Sequence, residues 1–267
     1  MAVPPSRRPK LGQHFLRDTR YRQRLADALA ILPDDHVIEI GPGRGAMTEL
    51  LAVRARQVIA IEIDPTLVRE LQGKFGSDSR ITILQADILS VDLTGLCRRH
   101  AIERCFVFGN LPYYITSPIL HRLWEFAPSI RAMGLLMQRE VGERLTATPG
   151  SRSYGYLSIL VQVYSQPRIA LGVPPGAFSP APKVQSALVD FRMAPKFQDW
   201  APAERKQFLE FVKHCFAQKR KNILNNLAGI YTRGRVEQIL AELALPRTIR
   251  AEQLTLEQFA NLFRRLG

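Results

Sequence analysis

The amino-acid sequence predicts an α/β protein with a mostly parallel sheet and a small all-helical C-terminal domain. Two patterns and a size argument carry this. Short apolar runs rich in β-branched residues alternate with helix-start signals over the first two thirds of the chain, which implies βαβ units. Beyond a Pro-flanked linker, Pro195 to Pro202, the apolar period becomes helical: Phe208, Phe211, Val212 and Cys215 recur at i, i+3, i+4 and i+7. The 267 residues, 46% hydrophobic, suffice for one large domain and a small second one. The boundary is placed at residue 198, giving domains 1–198 and 199–267.

Residues 1–20 read as a polar arm. Val37 to Ile40 is a short buried strand that stops at Gly41, and residues 46–55 suit a helix. Val58 to Glu62 is the second strand. Asp64 and Pro65 then supply an N-cap and a first helical residue with φ already set. Ile81 to Leu84 and Cys105 to Phe108 are the third and fourth strands, and Ser117-Pro118 has the same look of a helix start. Ala132 to Met137 is the fifth strand. Residues 148–155, rich in Pro, Gly, Ser and Thr, form a loop. Arg168 to Val173 and Val184 to Arg192 flank a Pro-rich connection and are expected to make an antiparallel sheet edge. Thr255 and Gln258, three apart, form a capping box for the last helix.

Charge narrows the function. There are 37 Lys+Arg against 24 Asp+Glu, a net +13 with a pI near 10.2. The excess is +6 in residues 1–24, +1 in 25–202 and +6 in 203–267. Cationic ends around a neutral middle suit a polyanion, most simply nucleic acid. Lys219, Arg220 and Lys221, and the arm around Arg7, Arg8 and Lys10, are the candidates for phosphate contacts. Cys97, Cys105 and Cys215 are odd in number and share no C-x-x-C spacing, so reduced thiols are expected. The five histidines show no metal-ligand spacing, and no metal is expected. No apolar signal segment or membrane span is visible, which makes a cytoplasmic protein the default. Nothing points to an obligate oligomer, so a monomer is expected.

Two motifs carry chemistry. Glu39-Ile40-Gly41-Pro42-Gly43-Arg44-Gly45 follows the first strand, and Glu62 ends the second, 21 residues after Gly41. An acid at that place can accept bonds from ribose hydroxyls. Asp87, just past the third strand, could accept a bond from an adenine amine of the same ligand. These are strand carboxyl ends, where open α/β sheets bind ligands. The G-x-G-x-G spacing is not the G-x-G-x-x-G of a dinucleotide fingerprint, although a dinucleotide remains open. The second motif is Asn110-Leu111-Pro112-Tyr113 after the fourth strand. The side-chain oxygen of Asn110 and the backbone oxygen of Leu111 could each accept one N–H of a planar amine, favouring a nitrogen with a localised lone pair. Pro112 would fix the turn, and Tyr113 would offer a face for a base, a stack worth roughly 1–3 kcal/mol. An amine-gripping turn beside a nucleoside site favours S-adenosyl-L-methionine, whose methyl transfer needs positioning more than acid–base help.

Taken in order, these residues resemble the ribosomal RNA adenine dimethylase family. The likeness runs through Gly12-Gln13-His14-Phe15-Leu16, the glycine motif, Ile61-Glu62-Ile63-Asp64, Gln85-Ala86-Asp87 and Gly109 to Tyr113. It continues through Val173-Pro174-Pro175, Phe178 to Val184 and Gln218 to Lys221. The resemblance implies a seven-stranded, Rossmann-like methyltransferase sheet and a helical rRNA-binding domain. It implies dimethylation at N6 of two adjacent adenines near the 3′ end of 16S rRNA, during small-subunit assembly. It implies cofactor contacts from His14, Leu16, Gly41, Gly43, Glu62, Asp87 and Asn110, and places Phe178 over the target base opposite Tyr113. Two positions depart from the family: His14, where Asn is commoner, and Tyr114, where a smaller polar residue is frequent. Methylation of 23S rRNA or DNA adenines, and an assembly factor that binds without catalysis, are the alternatives.

Overall fold

The structure is a computed structural model that describes residues 14–112 and 115–267. The cationic arm residues Arg7, Arg8 and Lys10, and also Tyr113 and Tyr114, lie outside the described residues.

In chain order the protein builds β1 (Phe15–Leu16), α1 (Thr19–Ala28), β2 (His36–Ile40), α2 (Thr48–Arg54), β3 (Gln57–Glu62) and α3 (Pro65–Phe75). It continues with β4 (Ile81–Gln85), α4 (Leu93–Arg99), β5 (Cys105–Asn110), α5 (Thr116–Glu125) and β6 (Ile130–Gln138). Then follow α6 (Arg139–Leu145), α7 (Tyr156–Tyr164), β7 (Ser165–Val173), β8 (Phe178–Ser179) and β9 (Ser186–Met193). The remainder is helical: α8 (Pro202–Cys215), α9 (Ile223–Leu227), α10 (Arg233–Glu242) and α11 (Leu256–Leu266).

Seven strands form one sheet in the order β4-β3-β2-β5-β6-β9-β7. Each of the seven expected apolar runs is a strand of it. The pairs β2–β3, β2–β5, β3–β4 and β5–β6 are parallel. Their register decides where the site lies: Ile40 is opposite both Ile61 and Gly109, and Glu62 is opposite Gln85. The carboxyl ends of four strands are therefore level, and the residues just past them are neighbours. Runs such as Cys105 to Phe108 are apolar throughout because both sheet faces are covered. Val37, Val58, Phe106, Phe108, Leu51, Leu71 and Phe75 belong to one core cluster beneath those ends. Each such side chain contributes about 1.5–3 kcal/mol on full burial.

Local signals explain most helix starts. Asp64 Oδ1 accepts the Thr66 N–H at 2.8 Å, with Pro65 at the first position. The box at α11 is reciprocal: the Thr255 N–H donates to Gln258 Oε1 at 2.9 Å, and the Gln258 N–H to Thr255 Oγ1 at 3.2 Å. Ser117 does not cap α5. The helix starts two residues earlier, at Thr116 with Ile115 in the cap position, where the Thr116 hydroxyl donates to Pro112 O at 3.1 Å and Ile119 N–H already donates to Ile115 O. The end of the expected arm is also structured: β1 pairs with β8 in a two-stranded ladder, and α1 begins at Thr19 behind an Asp18 cap.

Contacts divide the chain into two compact units. One comprises the chain through Arg139 with Ile169–Phe191; the other comprises Glu140–Arg168 with Arg192–Gly267. In the second unit, the buried face of α8 holds Phe208, Phe211, Val212 and Cys215, as the period requires. Trp200 meets Phe208 edge-on at 5.3 Å and Phe208 meets Phe263 at 5.6 Å, an aromatic core. All three cysteines are buried free thiols. Among the described residues no helix is long and apolar enough to cross a membrane, and no cluster of His, Cys, Asp and Glu has the makings of a metal site.

Candidate active site

A cavity of about 880 Å³ opens at the level carboxyl ends of β2 to β5, entirely within the first unit. That volume falls in the range of small-molecule and cofactor sites. His14, Leu16, Gly41, Gly43, Glu62, Asp87, Asn110, Leu111 and Pro112 all line it. The register brings the expected cofactor residues together with the amine turn.

The glycine loop is held by the sheet. Gly41 N–H donates to Ile61 O at 3.0 Å, and Gly43 N–H to Glu62 Oε2 at 3.1 Å. Gly41 and Gly43 sit at φ of 65° and 59°, the left-handed region that glycine enters without cost. A Cβ at Gly43 would also lie 3.0 Å from the Phe15 ring. A side chain is thus disfavoured by conformation at both positions and by the Phe15 ring at Gly43.

Glu62 is 3% exposed, and its Oε1 accepts the N–H groups of Ile63 and Asp64 at 2.9 and 3.0 Å. Burial raises its pKa, while the backbone donors from Asp64, Gly43 and Ile63 oppose that rise. The carboxylate is thereby fixed in place with acceptor capacity left over. Asp87 uses Oδ1 to accept the Leu89 N–H at 2.9 Å, so it caps the next segment and lines the cavity at once.

Sequence reasoning passed over Glu39. It is 1% exposed, lines the cavity, and accepts the Thr48 hydroxyl at 2.6 Å through Oε2. Burial first, and then the Glu62 charge, push its pKa up to about 8, against the Thr48 hydrogen bond. The signal was present: a carboxyl inside the run Val37 to Ile40 has no exposed face to occupy.

At β5 the Asn110 amide is oriented by the chain before β1. Asn110 Nδ2 donates to the backbone oxygen of His14 at 3.1 Å, which leaves Oδ1 as the end of the amide not engaged there. The Leu111 N–H donates to Leu136 O at 2.9 Å and fixes the next peptide. The His14 ring is within hydrogen-bond distance of Pro180 O, with Nδ1 at 2.7 Å, so Nδ1 carries the proton. His14 thus reaches the site through its carbonyl, with its imidazole tied to the segment after β8. The short β1–β8 ladder, with register pairs Phe15–Ser179 and Leu16–Phe178, keeps this strap in place.

Phe178 is not brought to the cavity. It is 5% exposed and packs in the core cluster with Leu16 and Leu136, while its neighbours Ser179 and Pro180 reach the lining. Lys219, Arg220 and Lys221 lie in the second unit, exposed on the turn between α8 and α9.

Known proteins share this sequence and fold. The family model described as ribosomal RNA adenine dimethylase matches residues 5–267. The chain is similar to ribosomal RNA small subunit methyltransferase A of Koribacter versatilis, with 38% identity over 98% of this chain and 95% of that protein. It is 41% identical to the protein of that name from Acidobacterium capsulatum, over 99% of this chain and 93% of that one. Among solved structures, the 23S rRNA methyltransferase ErmE superposes with a TM-score of 0.74 at 31% identity, covering 94% of this chain and 99% of that one. A dimethyladenosine transferase from Plasmodium falciparum, 23% identical, shares the fold with a TM-score of 0.78 over 93% and 96% of the two chains. With a matching model over nearly its whole length and relatives near 40% identity, the chain belongs to the ribosomal RNA adenine dimethylase family.

Proposed function

We propose that this chain dimethylates N6 of two adjacent adenines near the 3′ end of 16S rRNA, within the small ribosomal subunit, using S-adenosyl-L-methionine. The observation that carries this reading is the Asn110 amide, pinned through Nδ2 to His14 O in the cavity that Glu62 and Asp87 also line. S-adenosyl-L-methionine, when bound, supplies a methyl group activated by a sulfonium. The residues present fit that molecule. A side chain would be strained at the positive φ of Gly41 and Gly43 and would crowd Phe15 at Gly43, and Glu62 presents a fixed acceptor for hydroxyls. Asp87 offers an acceptor to an adenine amine, while Leu16 and His14 close one side.

The chain's own work on the substrate is positional. Asn110 Oδ1 and the Leu111 carbonyl accept the two N–H groups of the target amine, which holds the nitrogen lone pair out of the ring. Pro112 fixes the turn, and its carbonyl is anchored by the Thr116 hydroxyl. Tyr113 stacks on the base. Phe178, buried as it stands, backs the strap and faces the base only if it leaves the core. Arg7, Arg8 and Lys10 with Lys219, Arg220 and Lys221 contact rRNA phosphates, and the helical domain from residue 199 serves this binding. One copy of the chain in the cytoplasm is sufficient for the reaction.

The substrate is tested with labelled S-adenosyl-L-methionine and three acceptors: undermethylated small subunits, large-subunit rRNA and duplex DNA. N6,N6-dimethyladenosine in small subunits alone is expected. The similarity to a 23S rRNA methyltransferase makes large-subunit rRNA the competing acceptor, and label there would move the chain to that reading.

A further inference from the structure

Glu39 meets the cavity as a buried carboxyl with no positive partner. It is 1% exposed and lines the wall, and its Oε2 accepts the hydroxyl of Thr48, itself fully buried, at 2.6 Å. Among the described residues nothing donates to Oε1, and no cation is within ion-pair distance of the carboxyl. The cations of the wall are engaged elsewhere: Lys74 with Glu49 at 3.3 Å, Arg44 with Glu70 at 4.0 Å, and Arg22 through Nε with Leu16 O at 3.0 Å. The His14 ring is held at Pro180 O, and Arg17 is exposed. The other two acids of the wall are better served. Glu62 accepts three backbone N–H groups, bonds that favour its charged form, and Asp87 accepts the Leu89 N–H. Glu39 has one hydroxyl and, from β3, the like charge of Glu62. A buried carboxyl so placed keeps its proton, and its pKa is pushed up to about 8.

We propose that Glu39 is the counter-charge for the positive charge of the bound cofactor, and that it gives up its proton as the cofactor enters. The proton passes from the carboxyl to solvent, no covalent bond to the ligand forms, and the carboxylate left behind balances the ligand's cation. Thr48 is the positioning residue: its hydroxyl holds Oε2 and leaves Oε1 as the oxygen for the ligand. The inference rests on the reading of S-adenosyl-L-methionine, which carries an ammonium and a sulfonium, as the cofactor. In that reading Glu62 and Asp87 serve neutral hydroxyls and an amine, so neither has to change its charge. The raised pKa belongs to the empty cavity and falls when a cation arrives. Binding therefore releases a proton below about pH 8, and affinity rises with pH up to that point.

The test is calorimetric titration of the full chain with S-adenosyl-L-methionine at about pH 6.5, in buffers of different ionisation enthalpy. The unaltered chain is expected to release about one proton per ligand bound and Glu39→Gln none. The difference between the two proteins removes any titration of the ligand itself. Across a pH series, affinity of the unaltered chain should gain up to about tenfold per pH unit over that of Glu39→Gln, levelling off near pH 8. Equal release from both proteins would place the proton on another group, and no release from either would leave Glu39 neutral in the complex; each result overturns the proposal. If Glu39→Gln does not fold, Thr48→Val is read instead. It removes the hydroxyl that lowers the Glu39 pKa, so release should persist to higher pH, and an unmoved profile would overturn the proposal as well. Failure of the unaltered chain to bind S-adenosyl-L-methionine would instead overturn the cofactor reading, and this inference with it.

Discussion

The cavity at the strand ends and the turn between α8 and α9 are both rich in polar groups, but they are built in opposite ways. Two of the cavity's acids are buried and already hydrogen-bonded: Glu62 to three backbone N–H groups, Glu39 to Thr48. The turn's cations are exposed, and Asn226 Nδ2 reaches only one of their backbones, at Lys221 O. The first arrangement suits a small molecule, for which geometry fixed in advance lowers the cost of binding. The second suits a long polyanion, for which the interaction is electrostatic and salt-dependent. Substitutions in the two regions should therefore differ in kind: geometry and stability in the cavity, salt dependence on the turn.

The largest effect that would sharpen this contrast is at Phe178. Phe178→Ala should cost about 3–5 kcal/mol of stability, as removal of a buried aromatic ring does, read as a shifted urea midpoint. Unchanged stability with a raised KM for RNA would mean that the ring faces the cavity during turnover. Gly43→Ala comes next. A side chain in the left-handed region costs roughly 1–2 kcal/mol, and the Phe15 ring must give as well. Cofactor affinity should drop about 5–30-fold in calorimetry, while RNA affinity holds.

A smaller effect comes from Glu39. Its pKa is about 8 in the fold against an ordinary 4.5. The folded state keeps the proton that the unfolded chain releases, so the contribution to stability is full below pH 4.5 and is lost as pH rises towards 8. The slope is at most about 1.4 kcal/mol per pH unit. Glu39→Gln keeps an acceptor for Thr48 and should remove that slope from a series of urea midpoints between these limits. An identical slope in the variant would show that Glu39 is not the group responsible.

How much of this was legible in the sequence follows from the range of each interaction. The strands β2 to β6 were readable because each holds a contiguous apolar run, and the strand-end acids because parallel register sets them at fixed distances from the glycines. The β1–β8 ladder was not. Two residues have no period, and Leu16 finds Phe178 across a long stretch of chain. The same non-locality hid the burial of Phe178 and the hydrogen bond from Asn110 to the His14 carbonyl, whereas the Asn226 contacts are local but carry no periodic signal. Ser117-Pro118 misled for a local reason: a good capping pair was present, but Thr116 found Pro112 O first.

The central claim is that a pinned Asn110 amide accepts the target amine. Single-turnover methyl transfer by Asn110→Ala on undermethylated small subunits, at saturating S-adenosyl-L-methionine and with subunit binding measured in parallel, tests it most directly. The account predicts a rate about 10²–10³-fold lower with subunit affinity retained. Transfer at the unaltered rate would contradict it.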